Sequence, residues 1–317
     1  MNNFILNNTD SNIDFEILDF IKKIEGKEDI VFTTSGTTGK PKKIIHNYKT
    51  LVKNIKIKEE LKDSVWALTY DYTKMAGSQV ILQSYLNKSK IVNLFEKSYN
   101  ETIHLIKKYN VTHISATPTF YRLLTNNIFE KIKQTTIGGE PVDINLINSL
   151  KKMFPNAKIT NIYASTEFGT LFSSNDYCFE ISEKIKQFVK IINETIFIKK
   201  NNEWIDTGDK IEWLESNKFK IIGRELSMIN VGGVKVNPIK IEFAINGLYY
   251  VLNSYVYGKN NSIMGTVVIA DIVLKNNVDK NTIKKDLEKT LNKYEIPLKI
   301  NIVDHIGLNS TGKIIRK

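Results

Sequence analysis

The sequence predicts an α/β protein, with a large N-terminal domain on a mainly parallel sheet, an antiparallel β subdomain attached to it, and a small α+β domain at the C-terminus. Three observations predict this. Strand-like apolar runs alternate with amphipathic helical segments from residue 11 to residue 163, the pattern of a parallel sheet with helices on its faces. From Ser174 the texture changes to short strand-like runs parted by polar turns, as in antiparallel hairpins. A chain of 317 residues with 42% hydrophobic content can fill about two cores.

Taken in order, residues 11–23 form an amphipathic helix with Ile17, Leu18, Phe20 and Ile21 on its apolar stripe. Apolar runs at 30–32 and 44–45 read as strands around a polar loop. Helical spacing follows at 48–61, 79–86, 101–108, 118–124 and 144–153, and strands are expected at 65–70, 90–94, 111–115, 135–137 and 158–163. The antiparallel part has strands at 188–192, 195–199, 210–214 and 218–222. Beyond it, 238–244 and 281–291 read as helices and 255–257, 266–273 and 299–303 as strands. The boundary is placed at 223–226, giving domains 1–222 and 223–317.

Bulk properties exclude several functions. The net charge of +11 comes mostly from lysines scattered among Asn and Ile, without the clustered Arg and aromatic stripe of a nucleic-acid face, so no nucleic-acid partner is expected. Cys178 is the single cysteine, which rules out an internal disulfide and points to a reducing cytoplasm. His46, His104, His113 and His305 include no pair at metal-ligand spacing. No secretory signal and no membrane span are expected.

The stretch Thr33-Thr34-Ser35-Gly36-Thr37-Thr38-Gly39-Lys40-Pro41-Lys42-Lys43 packs hydroxyls, two glycines and three lysines into eleven residues, a composition suited to wrapping phosphate. It is not a Walker loop, because only Thr37 and Thr38 separate Gly36 from Gly39-Lys40 and Pro41 follows. No Gly-x-Gly-x-x-Gly fingerprint accompanies it. On composition alone it also reads as a solvated turn. After the strand at 158–163, Asn161-Ile162-Tyr163-Ala164-Ser165-Thr166-Glu167 offers a carboxylate that can ligate Mg²⁺ on a polyphosphate. Thr166 can bond a phosphate oxygen there, and Tyr163 can stack on a purine.

Together these stretches resemble the adenylate-forming (AMP-binding) enzymes, the superfamily of acyl-CoA synthetases and related acid ligases. The loop 33–43 is similar to that family's Ser/Thr-Ser-Gly-Thr-Thr-Gly-x-Pro-Lys signature, which implies phosphate binding by Thr34, Ser35, Gly36, Thr37, Thr38, Gly39 and Lys42. The segment 161–167 resembles its Asn-x-Tyr-Gly-x-Thr-Glu motif, departing at Ala164 where the family usually has Gly. The resemblance implies nucleotide contacts from Asn161, Tyr163, Ala164 and Ser165, a catalytic part for Thr166, and Mg²⁺ on Glu167. Gly138-Gly139-Glu140 is similar to a turn that lines the adenine and acid pockets, and Thr117-Pro118-Thr119 to the family's Val-Pro-Thr.

Further matches follow in family order. Asp206-Thr207-Gly208-Asp209 resembles the Thr-Gly-Asp motif, implying that Asp209, expected at a strand start, accepts the ribose hydroxyls and that Arg224 binds ribose or phosphate. Residues 223–242 are similar to the hinge-and-loop motif. Leu226 stands at the hinge, where the family has Asp or Lys, and Gly232-Gly233 lies against the thiol arm of the acceptor. The C-terminal Gly312-Lys313 resembles the terminal Gly-Lys motif, which makes Lys313 the catalytic lysine of adenylation. Lys74 occupies a place near the acyl group and is expected to face solvent.

The resemblance, running from about residue 30 to residue 316, implies a mobile C-terminal lid and two half-reactions at one site. ATP, Mg²⁺ and a carboxylic acid give an acyl-adenylate and pyrophosphate, and a thiol then takes the acyl group, with positioning and charge neutralisation supplying the rate. Coenzyme A is the expected acceptor; the alternatives are the phosphopantetheine of an acyl carrier protein or an inactive nucleotide-binding scaffold. Family members carry a longer segment before the loop, whereas 32 residues precede Thr33 here. This shortened region leads to an expected open or partner-completed acyl pocket, with a homodimer and a small or polar acid.

Overall fold

A computed structural model describes residues 4–6, 11–26, 28–34, 42–125, 127–200, 202–261, 265–309 and 312–315, with the side chains of 11–14, Thr34, Lys42 and Leu226 outside that description. Helix α1 (Ser11–Glu25) leads into the antiparallel hairpin β1 (Ile30–Thr34) and β2 (Lys42–His46), whose register ends at Thr34 opposite Lys42. Residues 35–41 are therefore bracketed by two paired strands, as the apolar runs predict.

The large sheet contains β3 (Val65–Leu68), β4 (Lys90–Asn93), β5 (His113–Ala116), β6 (Gln134–Gly138), β7 (Lys158–Ser165) and β8 (Gly169–Ser174), in the order β4-β3-β5-β6-β7-β8. All neighbours are parallel except β7 and β8. Its crossovers hold α2 (Tyr48–Val52), α3 (Met75–Leu86), α4 (Tyr99–Lys108), α5 (Pro118–Leu123) and α6 (Ile144–Met153). Local chemistry sets their starts. Ser98 and Glu101 form a reciprocal capping box on α4, Thr117 caps α5 with Pro118 at its first turn, and Asp143 caps α6. Asp143 also accepts from Arg122 Nη2 at 2.6 Å, a buried pair tying α5 to α6. The Tyr121 hydroxyl, fully buried, contacts the carbonyls of Ile114 and Thr136, both at 3.0 Å.

Strand order reverses between β3 and β5: the chain steps one way to β4 and the other way through β5, β6 and β7. In open α/β sheets such a switch opens a crevice at the strands' carboxyl ends. Just past those ends lie Tyr70, Thr117, residues 139–140 and residues 166–167.

The antiparallel subdomain is a sheet of β9 (Phe179–Glu180), β10 (Val189–Ile192), β11 (Thr195–Lys200), β12 (Glu203–Trp213) and β13 (Lys218–Arg224), ordered β10-β11-β12-β13-β9, with the short helix α7 (Glu183–Lys186) beside it. The C-terminal part has the hairpin β14 (Ile229–Val231) and β15 (Val234–Val236), then α8 (Pro238–Asn246), β16 (Val251–Asn261), β17 (Gly265–Leu274), α9 (Lys280–Glu288) and β18 (Lys299–Ile302). It has its own core of Ile241, Ile245, Val256, Ile272, Ile283 and Leu287. Among the described residues no helix is long and apolar enough to cross a membrane.

Three expected elements differ. The helix expected over 48–61 stops at Val52, because side chains from α3 capture the following backbone. Asn87 Oδ1 accepts from Lys58 N at 2.8 Å, while Asn87 Nδ2 and Gln83 Nε2 donate to Lys56 O at 2.9 and 2.8 Å. Helix α3 begins at Met75 rather than 79: Gly77 lies so close to the Asp71 carbonyl that a β-carbon would sit 2.2 Å from it, and the Ser78 hydroxyl donates to Tyr72 O. Asp209 is not at a strand start but inside β12, where the pairing with β11 shifts register between Thr195 and Phe197.

His113 on β5 is buried, with its ring stacked on Trp66 at 4.5 Å and its Nδ1 2.8 Å from Thr112 Oγ1. Burial, helped by the charge of Lys133, pushes its imidazole down to about 4. The unfolded chain, titrating near 6.5, takes up this proton first, so stability is intact above about pH 6.5 and is lost as pH falls towards 4. Urea unfolding at pH 7 and pH 4.5 is expected to show wild type losing about 2 kcal/mol more than His113→Gln. Equal losses in the two proteins would refute the assignment.

Candidate active site

The turn that follows β7 meets the β1–β2 hairpin through a histidine. His46, the last residue of β2, donates from Nε2 to the Thr166 carbonyl at 2.8 Å, and its Nδ1 lies 3.2 Å from Thr50 Oγ1. Phe32 packs against the His46 ring edge-on, with centroids 5.7 Å apart. The end of β2 is thereby tied to the Thr166-Glu167 turn. His46 was missed as a site residue because the sequence was searched for metal pairs; its inward place at a strand end beside the hydroxyl-rich loop was the available signal. Thr34 and Lys42 bracket that loop, whereas Ser35, Gly36, Thr37, Thr38 and Gly39 lie outside the described residues.

A second cluster forms where β7 faces β12 and β13. Asp209 accepts from the Tyr163 hydroxyl at 2.7 Å through Oδ2 and from Arg224 Nε at 2.9 Å through Oδ1. The bulge that carries it is locked by its own side chains: Gly208 N donates to Asp206 Oδ1 at 2.7 Å and Asp209 N to Thr207 Oγ1 at 3.1 Å. The Thr207 hydroxyl in turn donates to Ile196 O at 2.7 Å. Gly208 stands at φ +71°, a conformation that costs glycine little. Burial and the adjacent Asp209 carboxylate push the Tyr163 phenol up, so it stays a donor. Tyr163, Asp209 and Arg224, expected from three separate motifs, thus form one connected group.

Lys313 arrives from the other end of the chain. Its turn is closed by Gly312 N donating to Asn309 O and Asn309 N to Lys313 O, both at 2.9 Å. The turn rests on the carboxyl ends of β5 and β6. Thr117 Oγ1 donates to Gly312 O at 2.7 Å, and Ile314 N donates to Glu140 Oε1 at 3.1 Å. Gly139, at φ +85°, forms the seat: a β-carbon there would stand 3.0 Å from Lys313 Cε. Gly138 is held as closely against β7, where a β-carbon would meet Ile162 O at 2.8 Å. Burial pushes the Lys313 ammonium below its ordinary range; Glu140 and Asp209 partly restore it, while Arg224 acts with burial. A cation so placed gains from an anionic ligand.

Other expected site residues sit differently. Glu140 commits its second oxygen to Thr119, accepting from N at 3.1 Å and Oγ1 at 2.7 Å. Asn161 is buried, with its amide donating to Asp176 O at 3.0 Å, a bond that organises the turn beyond β8. Ala164 is exposed, and the buried Ser165 hydroxyl finds no partner among the described residues. Gly232 and Gly233 form the exposed two-residue turn of the β14–β15 hairpin at φ +57° and +89°, with nothing within 4 Å of either β position. Leu226 lies in the single 3-10 turn Glu225–Ser227 between β13 and β14. Its neighbour Glu225 pairs with Lys210 at 3.2 Å on one side and Lys235 at 3.6 Å on the other.

For Mg²⁺, no cluster of three acidic, His or Cys residues exists among the described residues. Magnesium on a nucleotide takes one or two carboxylates together with phosphate oxygens and water. Glu167, half-buried beyond the end of β7 with its charge reaching Arg224, is a carboxylate that could hold it.

Family models match most of the chain: an AMP-binding enzyme model over residues 16–190 and an AMP-binding enzyme C-terminal domain model over 240–313. The 2-succinylbenzoate–CoA ligase of Listeria innocua is 25% identical, with 90% of this chain and 68% of that protein covered. The 3,4-dihydroxybenzoate–[aryl-carrier protein] ligase of Bacillus anthracis is 24% identical over 96% of this chain and 77% of its own. Structures of o-succinylbenzoate coenzyme A synthetase from Bacillus subtilis, one with its acyl-adenylate intermediate and one with ATP and magnesium, share this fold. Their TM-scores are 0.65 and 0.64 at 22% and 21% identity, covering 90% of this chain and 67% and 68% of theirs. The chain thus spans about two thirds of the length of the CoA ligases it matches. With sheet order, the Asp209 cluster, the seated Lys313 and both family models in agreement, the chain belongs to the AMP-binding, adenylate-forming enzymes.

Proposed function

We propose that the protein is an acid–thiol ligase: it activates a carboxylic acid with ATP and Mg²⁺ to an acyl-adenylate, releasing pyrophosphate, and then passes the acyl group to a thiol. The observation that carries this is the meeting of Lys313 with Gly139 at the strand ends, within reach of the charges of Asp209 and Arg224. A carboxylate is a poor electrophile until one of its oxygens joins a good leaving group, and transfer to the α-phosphate does that.

In this reading Asp209 accepts the ribose hydroxyls, oriented by Tyr163 and Arg224. Glu167 holds Mg²⁺, which neutralises phosphate charge when bound, and Thr166 bonds a phosphate oxygen. Thr34, Lys42 and the residues between them embrace the β- and γ-phosphates. Lys313 bridges the acid's carboxylate and the α-phosphate as charge shifts between them. Residues 1–222 and 223–317 act as two units, turning about 223–226 between half-reactions so that Gly232-Gly233 can flank the incoming thiol arm. Coenzyme A is the acceptor, as in the first-named relative, and a carrier-protein arm is the second reading, favoured by the aryl-carrier-protein ligase. A homodimer that completes the acid pocket belongs to the same reading; Val31 and Ile45, paired across the hairpin and 51% and 65% exposed, are apolar surface open to a second subunit.

Screening aromatic and small polar acids for ATP-dependent pyrophosphate release, with and without coenzyme A, is expected to give release with at least one acid. None with any acid would overturn the reading. Lys313→Ala is expected to abolish ATP–pyrophosphate exchange while thioester formation from preformed acyl-adenylate survives; equal loss of both contradicts its role. Asp209→Ala is expected to raise the KM for ATP roughly tenfold to hundredfold, the worth of charge-assisted hydrogen bonds to the ribose. An unchanged KM would remove Asp209 from the nucleotide site.

A further inference from the structure

Among the described residues, two hydrogen bonds that tie the C-terminal turn to the strand ends come from groups that organise the start of α5. Thr117 is the cap of that helix: its Oγ1 accepts from Phe120 N at 3.2 Å and donates to Gly312 O at 2.7 Å. Glu140 lies beside it. Its Oε2 is fixed by the amide and hydroxyl of Thr119, at 3.1 and 2.7 Å, which leaves Oε1 aimed at the tail, where it accepts from Ile314 N at 3.1 Å. A carboxylate with three such donors has about one acceptor site left for a ligand. The Lys313 side chain between these two anchors crosses Gly139, where a β-carbon would stand 3.0 Å from Lys313 Cε.

Beside the latch runs a narrow interdomain cavity lined by Thr119, Arg122, Glu140, Glu242, Asn246 and Ile314. Pro141, Ile239 and Phe243 line it as well, so its wall mixes apolar and polar groups. The cavity leaves Ile314 unpacked on that side. The hydrogen bonds from Thr117 and Glu140 then decide whether the tail stays.

We infer that Glu140 is a positioning residue rather than a nucleotide ligand, and that with Thr117 it forms a two-point latch that places Lys313 for the first half-reaction and lets go for the second. This rests on the adenylate-forming reading for its kinetic consequence but not for its structural one. Glu140→Gln keeps the size and turns one acceptor oxygen into a donor, which sets it against either Thr119 or Ile314. Thr117→Val removes the other contact together with the α5 cap at Phe120 N, so protection of residues 118–124 is followed beside it.

Amide hydrogen exchange on the full-length, nucleotide-free protein, followed in peptides covering 307–315, tests the latch without any substrate. Each variant is expected to speed exchange there by at least tenfold while peptides covering 238–246 and 251–261 keep wild-type protection, which excludes unfolding of the small domain. In ATP–pyrophosphate exchange, kcat is expected to fall roughly tenfold to hundredfold with the KM for ATP unchanged, as loss of a hydrogen bond to a charged group would give. Transfer from preformed acyl-adenylate is expected to continue. Unchanged exchange at 307–315, or a raised KM for ATP with unchanged kcat in Glu140→Gln, would overturn the proposal. If wild type shows no pyrophosphate exchange with any acid, the functional reading falls and the amide-exchange arm alone decides the latch.

Discussion

The account depends on one constraint: an ammonium from the end of the chain must reach the carboxyl ends of a parallel sheet and remain there without a full counter-charge. Burial depresses Lys313, and Glu140 and Asp209 only partly oppose that. Such a cation is poised for a polyanion, since charge brought to it is worth more in a site shielded from water than in bulk. The free protein keeps the lysine there through the Thr117 hydroxyl, the Glu140 carboxylate and backbone groups around its turn, and most of the favourable electrostatics are left to the substrate.

Sheet topology creates the place. Because strand order reverses between β3 and β5, the ends of β5, β6 and β7 form one rim of a crevice, and each end is shaped by a different local device. Thr117 caps a helix, Gly138 and Gly139 remove side chains where backbone and lysine approach, and β7 runs into the Thr166-Glu167 turn that His46 ties to the hairpin. Asp209 completes the opposite wall by means of a bulge. A strand without the register shift would carry its side chains in strict alternation; the bulge re-aims the carboxylate towards Tyr163 and Arg224.

Much of this was legible in the sequence. The strand–helix alternation predicts the parallel sheet in the right chain order, and the motifs point to Tyr163, Asp209 and Arg224, which hydrogen-bond one another, and to Lys313, which lies by Gly139. What was not legible depended on distant partners. Nothing near residues 53–58 says that Asn87 and Gln83 will take their backbone from a helix, nor does Thr-Gly-Asp announce that it sits in mid-strand. The glycine neighbours of Glu140 suggest a ligand turn, but its hydrogen bonds to Thr119 and Ile314 depend on partners 21 and 174 residues away in sequence. His46 escaped for the same reason, since its partner carbonyl lies 120 residues on.

The central claim is that one crevice holds the nucleotide's ribose at Asp209 and its reacting phosphate at Lys313. The most direct measurement is a crystal structure of the protein with a non-hydrolysable acyl-sulfamoyl analogue of the acyl-adenylate. The account predicts both ribose hydroxyls on the Asp209 carboxylate and the Lys313 Nζ within about 3 Å of the acyl linkage. An analogue bound away from Asp209, with Lys313 turned to solvent, would contradict it.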